Sequence, residues 1–291
     1  MASLSQAAGV RQRMNHSALK VIAVTSGKGG VGKTNVAANI AVAMSAQQHN
    51  TLLLDADLSL ANVDVLLGLQ PRFNLAHVVN GEADLDSTIL QGPAGVRVVP
   101  ASSGNFSMVD LPVEAQASLV QAFSGLANQP DVLLIDTAAG ISASVARFVQ
   151  AAQEAIVVVC DEPSSITDAY ALIKIFSRHY GITHFQLVTN QSRSSSCGRA
   201  LFNKIRRVTD SYLDVVLRHL GDIPADDLLR RAVQEQRAVV DAYPLSSAAQ
   251  AFKRIARSLS DAPAVRHRAG GIEFFFERLL TTDRQIEGSP V

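Results

Sequence analysis

The chain has 291 residues, with 26 basic and 26 acidic side chains and an apolar fraction of 47%. That apolar fraction is enough to bury a core, so a wholly disordered chain is excluded. The balanced charge gives no global attraction to nucleic acid or to an anionic membrane, which leaves only local patches. The two cysteines lack metal-ligand spacing. No run approaches 18 apolar residues, and we expect a cytoplasmic protein.

The predicted strands are short and apolar along nearly their whole length, and helices separate most of them. Strands are predicted at 21–24, 51–54, 96–100, 132–135, 155–159, 185–189 and 216–221, and helices at 35–44, 112–127, 165–179, 199–214, 226–235 and 246–259. This alternation predicts an α/β fold with a mostly parallel β-sheet covered by helices on both faces. Ligands of such sheets bind beyond the carboxyl ends of the strands.

A glycine-rich loop follows the first predicted strand. Its sequence, Gly27-x-x-x-x-Gly32-Lys33-Thr34, fits the phosphate-binding loop (P-loop) at every position, and an Ala-rich helix comes after it. Glycines let the loop turn its N–H groups toward a polyphosphate, and the helix N-terminus adds partial positive charge. We expect Lys33 to reach the β- and γ-phosphates and the Thr34 hydroxyl to ligate Mg²⁺. The predicted nucleotide-binding residues here are Gly27, Lys28, Gly29, Gly30, Val31, Gly32, Lys33, Thr34 and Asn35.

The same loop also fits a second pattern. Gly27-x-Gly29-x-x-Gly32, with Asp55 downstream, matches the dinucleotide-binding fingerprint. A dinucleotide site has no use for Lys33 and Thr34, however, so the sequence favours ATP or GTP.

Two further polar residues follow predicted strands. Four apolar residues lead to Asp136, which is the Walker B pattern, and place this carboxylate where it can hold Mg²⁺ through water. The small residues 137–140 suit a segment that senses the γ-phosphate. Asn190 follows the strand 185–189 and is either a base contact or a plain turn residue.

Lys28 narrows the class of P-loop protein to which the chain could belong. Lys28-Gly29-Gly30-Val31-Gly32-Lys33-Thr34 resembles the deviant Walker A motif of the MinD/ParA ATPases. In that family the extra lysine reaches the partner's phosphates across a nucleotide-sandwich dimer, where its charge acts like an arginine finger. The resemblance covers about residues 20–260. It implies an ATPase that uses ATP and Mg²⁺ and forms an ATP-dependent homodimer.

Other segments extend the resemblance. Residues 55–57 and 62–64 resemble the switch I segment of MinD, and the family gives the second aspartate, here Asp57, the role of orienting the attacking water. Lys28, Lys33 and Asp57 are thus the implied catalytic residues, with Thr34 and Asp136 as metal ligands. Asn190 and the Pro224 backbone match where the family reads adenine. Residues 161–168 resemble the MinD segment near the dimer and partner surface.

Within this family, five segments resemble the flagellar-number regulators FlhG and FleN. These are residues 58–68, 136–141, 160–163, 167–174 and 273–279. The resemblance implies regulation of flagellar number or placement and of flagellar gene expression. The implied partners are the GTPase FlhF and a FleQ-type transcription activator. At the N-terminus, Gln6 and Arg11 match a FlhG segment that stimulates FlhF, whereas Ser5 and Val10 depart from it.

The C-terminal segment predicts an amphipathic helix. Its apolar residues fall at i, i+3, i+4, i+7 and i+8, on one face of a helix. The sequence leaves two alternatives open: a helix docked on the protein's own surface, or a membrane-surface helix as in MinD and FlhG. The latter would place the protein at the inner face of the cell membrane, near a pole. The apolar residues are Ile272, Phe275, Phe276, Leu279 and Leu280.

The three predicted parts of the chain are an N-terminal arm (1–19), a P-loop ATPase domain (20–261), and a linker with the amphipathic helix (262–291). The alternative function is that of a chromosome- or plasmid-partitioning ParA-like ATPase that binds DNA non-specifically. We expect no nucleic-acid binding, since a solvated helix face accounts for the candidate basic patch. That patch consists of Arg193, Arg199, Lys204, Arg206 and Arg207.

Overall fold

The computed structural model describes residues 19–57, 62–101, 111–262 and 271–281. Eight strands form one sheet in the order β3-β4-β2-β5-β1-β6-β7-β8. Every neighbouring pair is parallel except β3 and β4, which are antiparallel. The strands are β1 (Lys20–Thr25), β2 (Thr51–Ala56), β3 (Leu90–Gln91), β4 (Arg97–Val99), β5 (Val132–Thr137), β6 (Glu154–Val159), β7 (His184–Ser192) and β8 (Val216–Pro224).

Twelve α-helices lie in the described part of the chain. They are α1 (Lys33–Ala46), α2 (Val63–Leu66), α3 (Leu75–Val79), α4 (Leu85–Thr88), α5 (Val113–Ser124), α6 (Ala143–Ala151), α7 (Pro163–Tyr180), α8 (Ser195–Tyr212), α9 (Asp227–Gln234), α10 (Val239–Ala242), α11 (Ser247–Asp261) and α12 (Ile272–Thr281). A short 3₁₀ turn at Pro93–Gly95 precedes β4.

Two apolar cores lie on opposite faces of the sheet, because alternate side chains of each strand point to opposite sides. On one face, Val21 and Ala23 of β1 pack with side chains from α5, α6, α7, α8 and α12. On the other, Ile22 and Val24 pack with side chains from α1, α10 and α11. The central strands are buried throughout, as expected of a parallel sheet covered on both faces.

The predicted α/β fold is therefore confirmed, with local differences. β8 extends to Pro224, beyond the predicted end at 221, and α6, α10 and the two-residue β3 were not predicted. The two added helices are short, with nine and four residues, and such segments carry little periodicity. The carboxyl ends of β1, β2 and β5 meet at one edge of the sheet, where the P-loop follows β1.

Candidate nucleotide-binding site

The P-loop connects β1 to α1 through a backbone that only glycine adopts readily. Gly30 and Gly32 have φ of +81° and +84°, in the left-handed region. Gly32 caps α1 without contributing a side chain, so the first N–H groups of the helix face outward for an anion. A Cβ on Gly27 would lie 2.2 Å from the carbonyl oxygen of Asp168, which means that the loop touches the backbone of α7 here.

Lys33 and Asp136 form a buried ion pair at the head of the sheet. Lys33 Nζ lies 2.7 Å from Asp136 Oδ1, and the side chains are only 7% and 1% exposed. β5 lies beside β1 with Asp136 level with Val24, which puts the carboxylate next to the loop. Burial raises the pKa of Asp136, while the charge of Lys33 and the nearby Thr34 hydroxyl oppose that increase.

The second oxygen of Asp136 bears on the predicted magnesium site. Oδ2 is buried and accepts no hydrogen bond from the residues that the structure describes. A buried carboxylate oxygen without a partner is costly unless a ligand satisfies it. The Thr34 hydroxyl and this carboxylate are oxygen donors of the kind that Mg²⁺ prefers. The described residues contain no cluster of three His, Cys, Asp or Glu side chains, so any metal site here depends on phosphate and water as well.

Asp55 is a site residue for which no individual role was predicted, although it belongs to the dinucleotide pattern and to the switch I segment 55–57. It lies opposite Asp136 in the β2–β5 register. Its carboxylate accepts backbone N–H groups from Asp57 at 3.0 Å and from Asn62 and Val63 at 3.2 Å each. Burial and the neighbouring Asp136 charge raise the pKa of Asp55 to about 7, although the three N–H groups oppose the shift. The position of Asp57 directly after β2 is thus fixed by Asp55.

A cleft of about 740 Å³ opens above the P-loop. Lys33, Thr34 and Asp57 line it together, so the structure brings these three predicted residues to one cavity. The ends of α2 and α9 form its far wall, which includes Asn62, Val65, Val233 and Gln236.

Lys28 points toward α7. Its Nζ donates to Glu162 Oε2 at 2.8 Å and to Ser164 Oγ at 2.9 Å. The lysine is 37% exposed, and the hydrogen bond to Glu162 raises its pKa. The charge is therefore held at the protein surface by the first turn of α7. Sequence reasoning could not detect this contact, because it joins residues 134 positions apart.

Asn190 and Pro224 lie near the loop, and neither lines the cleft above the P-loop. Asn190 is buried, and its Nδ2 donates to the Val31 carbonyl at 2.8 Å. Its amide packs so closely on the loop that a Cβ on Gly32 would lie 2.6 Å from Nδ2. Pro224 is level with Ser192 at the end of β7. In this state Asn190 ties β7 to the P-loop.

The C-terminal helix α12 lies on the body of the protein, against α5 and α6. All five residues of its predicted apolar face are buried. Phe276 stacks on Phe123 of α5 with ring centroids 3.9 Å apart, and Phe275 meets Phe276 edge to face. Phe274 points outward and is 52% exposed. Of the helices that the structure describes, none is both long and apolar enough to span a bilayer.

Other predicted residues lie elsewhere. Gln6 and Arg11 fall outside the described residues. The five basic residues of the candidate DNA patch are exposed on α8 and just before it. Arg206 of this group is 3.5 Å from Asp210, one helical turn away, so part of the charge is neutralised locally.

Comparison with known proteins agrees with this geometry. Residues 17–260 match the ParA family model, described as "NUBPL iron-transfer P-loop NTPase". The chain is 53% identical to antiactivator FleN of Pseudomonas aeruginosa over 262 residues, which is 90% of this chain and 94% of FleN. It is 33% identical to flagellum site-determining protein YlxH of Helicobacter pylori, over 91% of each chain.

Solved structures give the same result for the fold. The septum site-determining protein MinD of Pyrococcus horikoshii, complexed with Mg-ADP, superposes with a TM-score of 0.64 at 28% identity. The match covers 84% of this chain and 96% of that protein. The MinC:MinD complex of Aquifex aeolicus gives a TM-score of 0.66 at 26% identity, with the same coverage. The resemblance inferred from the P-loop and its second lysine is confirmed.

Proposed function

Because the chain belongs to the ParA family of P-loop NTPases, we propose that it is an ATP-driven dimerisation switch that regulates flagellar number and placement and flagellar gene expression. The chain is an ATPase of the MinD/ParA type. The relatives FleN and YlxH, matched over more than nine-tenths of their length, support the flagellar role. The structural observation that supports the switch is Lys28, a P-loop lysine that does not line the cleft and whose side chain is 37% exposed.

The proposed reaction is attack of water on the γ-phosphorus of ATP, which breaks its bond to the β–γ bridging oxygen and releases ADP and inorganic phosphate. The P-loop N–H groups and Lys33 hold the phosphates, and their positive potential stabilises the charge that develops in the transition state. Thr34 and Asp136 would hold Mg²⁺, which would supply positive charge that neutralises the phosphates. Asp57, fixed by Asp55 at the end of β2, orients the attacking water. The Mg-ADP complex of the related MinD supports the choice of nucleotide and metal.

Dimerisation completes this site. Lys28 leaves Glu162 and Ser164 and donates to the phosphates of the second protomer. The cost is small, because an exposed ion pair contributes only about 0.2–1 kcal/mol. Glu162 and Ser164 lie in the segment 161–168 that resembles the dimer and partner surface of MinD.

The switch acts at a membrane surface through α12. In the monomer the helix covers its apolar face on α5 and α6, and ATP-driven dimerisation releases it. Two released helices bind together at high effective concentration, whereas one binds marginally. The protein would then work in the cytoplasm, at the inner face of the cell membrane near a pole.

The proposed partners are FlhF and a FleQ-type activator. The antiactivator name of the FleN relative supports an action on transcription. A peptide of residues 1–19 should accelerate GTP hydrolysis by FlhF through Gln6 and Arg11, and Gln6→Ala should abolish the effect. Absence of stimulation by the peptide and by the full-length protein would remove this partner activity while leaving the ATPase assignment intact.

One experiment tests the switch directly. The mass of the purified protein is measured by size exclusion with light scattering in ADP and in ATP–Mg²⁺, and phosphate release is followed in parallel. A monomer in ADP, a dimer in ATP–Mg²⁺ and phosphate release that rises with dimer concentration are expected. The same mass in both nucleotides would contradict the proposal. A salt-dependent affinity for unrelated DNA would instead favour the partitioning function.

A further inference from the structure

A buried polar network lies where β7 and β8 end, outside the cleft above the P-loop. Asp222 Oδ1 accepts the Thr189 hydroxyl at 2.5 Å and His219 Nε2–H at 2.9 Å. The side chains of His219 and Asp222 are only 6% and 15% exposed. Burial lowers the pKa of His219, which keeps its ring neutral and able to donate one N–H to the carboxylate.

A β-bulge brings these side chains together. In the β7–β8 register, Leu187 is level with His219 but Val188 is level with Gly221, so Leu220 is an extra residue in β8. Without the bulge, residues 219 and 222 would point to opposite faces of the sheet. The extra residue turns both toward the face covered by α8. Thr189 and Asp222 are direct register partners, and their hydrogen bond ties the two strand ends together.

Helix α8 packs closely over this network. A Cβ on Gly198 would lie 2.0 Å from Asp222 Oδ1 and 2.7 Å from Thr189 Oγ1, so a larger residue would displace the carboxylate. Phe202 packs on the His219 ring with centroids 4.9 Å apart. The first turn of α8 adds partial positive charge beside Asp222. Gly198, His219 and Asp222 thus depend on one another, although apolar side chains could fill the same space.

The network lies directly behind the two predicted base contacts. Asn190 follows Thr189 and donates to the Val31 carbonyl of the P-loop, and Pro224 comes two residues after Asp222. Beyond them, the N–H of Ala225 donates to the Ser192 carbonyl at 3.0 Å. The distance between the Asn190 amide and the Pro224 backbone therefore depends on how β7 and β8 are joined at Thr189 and Asp222.

We propose that Asp222, held by His219 and Thr189, is a positioning residue that sets the spacing between Asn190 and Pro224 and thereby controls binding of the purine base. The proposal rests on the proposed function, because it requires a nucleotide in this site. In this proposal the Asp222 network acts on the base end of the nucleotide, whereas the P-loop holds the phosphates. Loss of the network should weaken base recognition and leave phosphate binding intact.

The test compares ATP with inorganic tripolyphosphate, which carries the phosphates without a base. Dissociation constants for both, with Mg²⁺, are measured by calorimetry for the full chain and for Asp222→Val, Asp222→Asn and Thr189→Val. In Asp222→Val, ATP binding should weaken by about tenfold or more, with tripolyphosphate binding changed less than about twofold. Asp222→Asn keeps an acceptor oxygen and should restore most of the affinity. The preference for ATP over GTP should narrow in the valine variant.

A control variant and an alternative test variant distinguish this outcome from a general loss of stability. Thr209 is another fully buried threonine of the same region, at the far end of α8, and Thr209→Val should leave both affinities unchanged. Thr189→Val, which keeps the side-chain shape, provides the same comparison if Asp222→Val does not fold. Equal weakening of ATP and tripolyphosphate, or no weakening of ATP, would overturn the proposal. Failure of the wild-type chain to bind ATP would instead overturn the proposed function.

Discussion

Two substitutions at the contact between α12 and α5 should have opposite effects on membrane binding. Phe276→Ala removes a ring from the helix itself, whereas Phe123→Ala removes the ring on which it stacks, leaving the apolar face of the helix complete. Both changes should release α12 from α5. Only Phe123→Ala should then release a helix that still binds lipid, so it should bind liposomes without ATP. Phe276→Ala should bind them less than wild type under all conditions.

The magnitude follows from the burial of the helix. Its five buried apolar side chains contribute about 1.5–3 kcal/mol each. Ordering its 10 residues costs about 1–2 kcal/mol each. The two terms are of similar size, so docking is marginal. Truncating a fully buried phenylalanine costs about 3–5 kcal/mol, and a loss of even 3 kcal/mol at the contact would shift the docked population by roughly a hundredfold.

The assay combines liposome sedimentation with hydrogen exchange of the amides in 272–281. Phe252→Ala is the matched control, because Phe252 is equally buried but lies in the core on the opposite face of the sheet. Faster exchange in 272–281 is expected for both α12-contact variants and not for Phe252→Ala. If Phe123→Ala releases the helix and still sediments no more than the control, α12 is not a membrane helix. If exchange stays slow, the docking estimate is wrong.

Three further predictions concern the phosphate site. Lys28→Ala should keep nucleotide affinity but lose at least about tenfold in ATP turnover, whereas Lys33→Ala should weaken nucleotide binding itself; wild-type turnover in Lys28→Ala would contradict the trans role. Asp57→Ala should accumulate as an ATP-bound dimer by light scattering, and a monomer in ATP–Mg²⁺ would refute water orientation as its role. For Asp55, a pKa raised from 3.8 to about 7 means that stability present below pH 4 is lost as pH rises toward 7. The free energy of unfolding of Asp55→Asn, measured by denaturant unfolding, should therefore gain on that of wild type over that range, by on the order of 4 kcal/mol at most, and a pH-independent difference would contradict the shift.

The sequence predicted the parts of the site that depend on local pattern. The P-loop, the strand before it and Asp136 at the end of β5 each follow from a contiguous run of residues, and Lys33 and Asp136 indeed meet. Asp55 received no role of its own from the sequence, because its contacts with the backbone N–H groups of Asn62 and Val63 join residues seven and eight positions apart.

The strand β8 was predicted, but the facing of the side chains at its end could not be, for a related reason. A strand is read with a period of two residues, which places His219 and Asp222 on opposite faces. The insertion at Leu220 reverses that assignment, and the neighbouring Gly221 is a residue type found at bulges but does not by itself show where the extra residue lies. The contact of Lys28 with Glu162 similarly depends on the sheet order that places β6 beside β1.

The Lys33–Asp136 ion pair links the binding of nucleotide to the binding of a divalent metal ion. In the structure each of these two charges is the counterion of the other, at 2.7 Å. Phosphate recruits Lys33 and leaves Asp136 buried without its cation, while a divalent ion that approaches Asp136 first meets the repulsion of Lys33. Each ligand thus removes the obstacle to the other, and nucleotide and metal binding are positively coupled. Lys33 thus exchanges Asp136 for phosphate, and Asp136 exchanges Lys33 for the metal ion. The protein therefore binds the metal–nucleotide complex more tightly than either component alone.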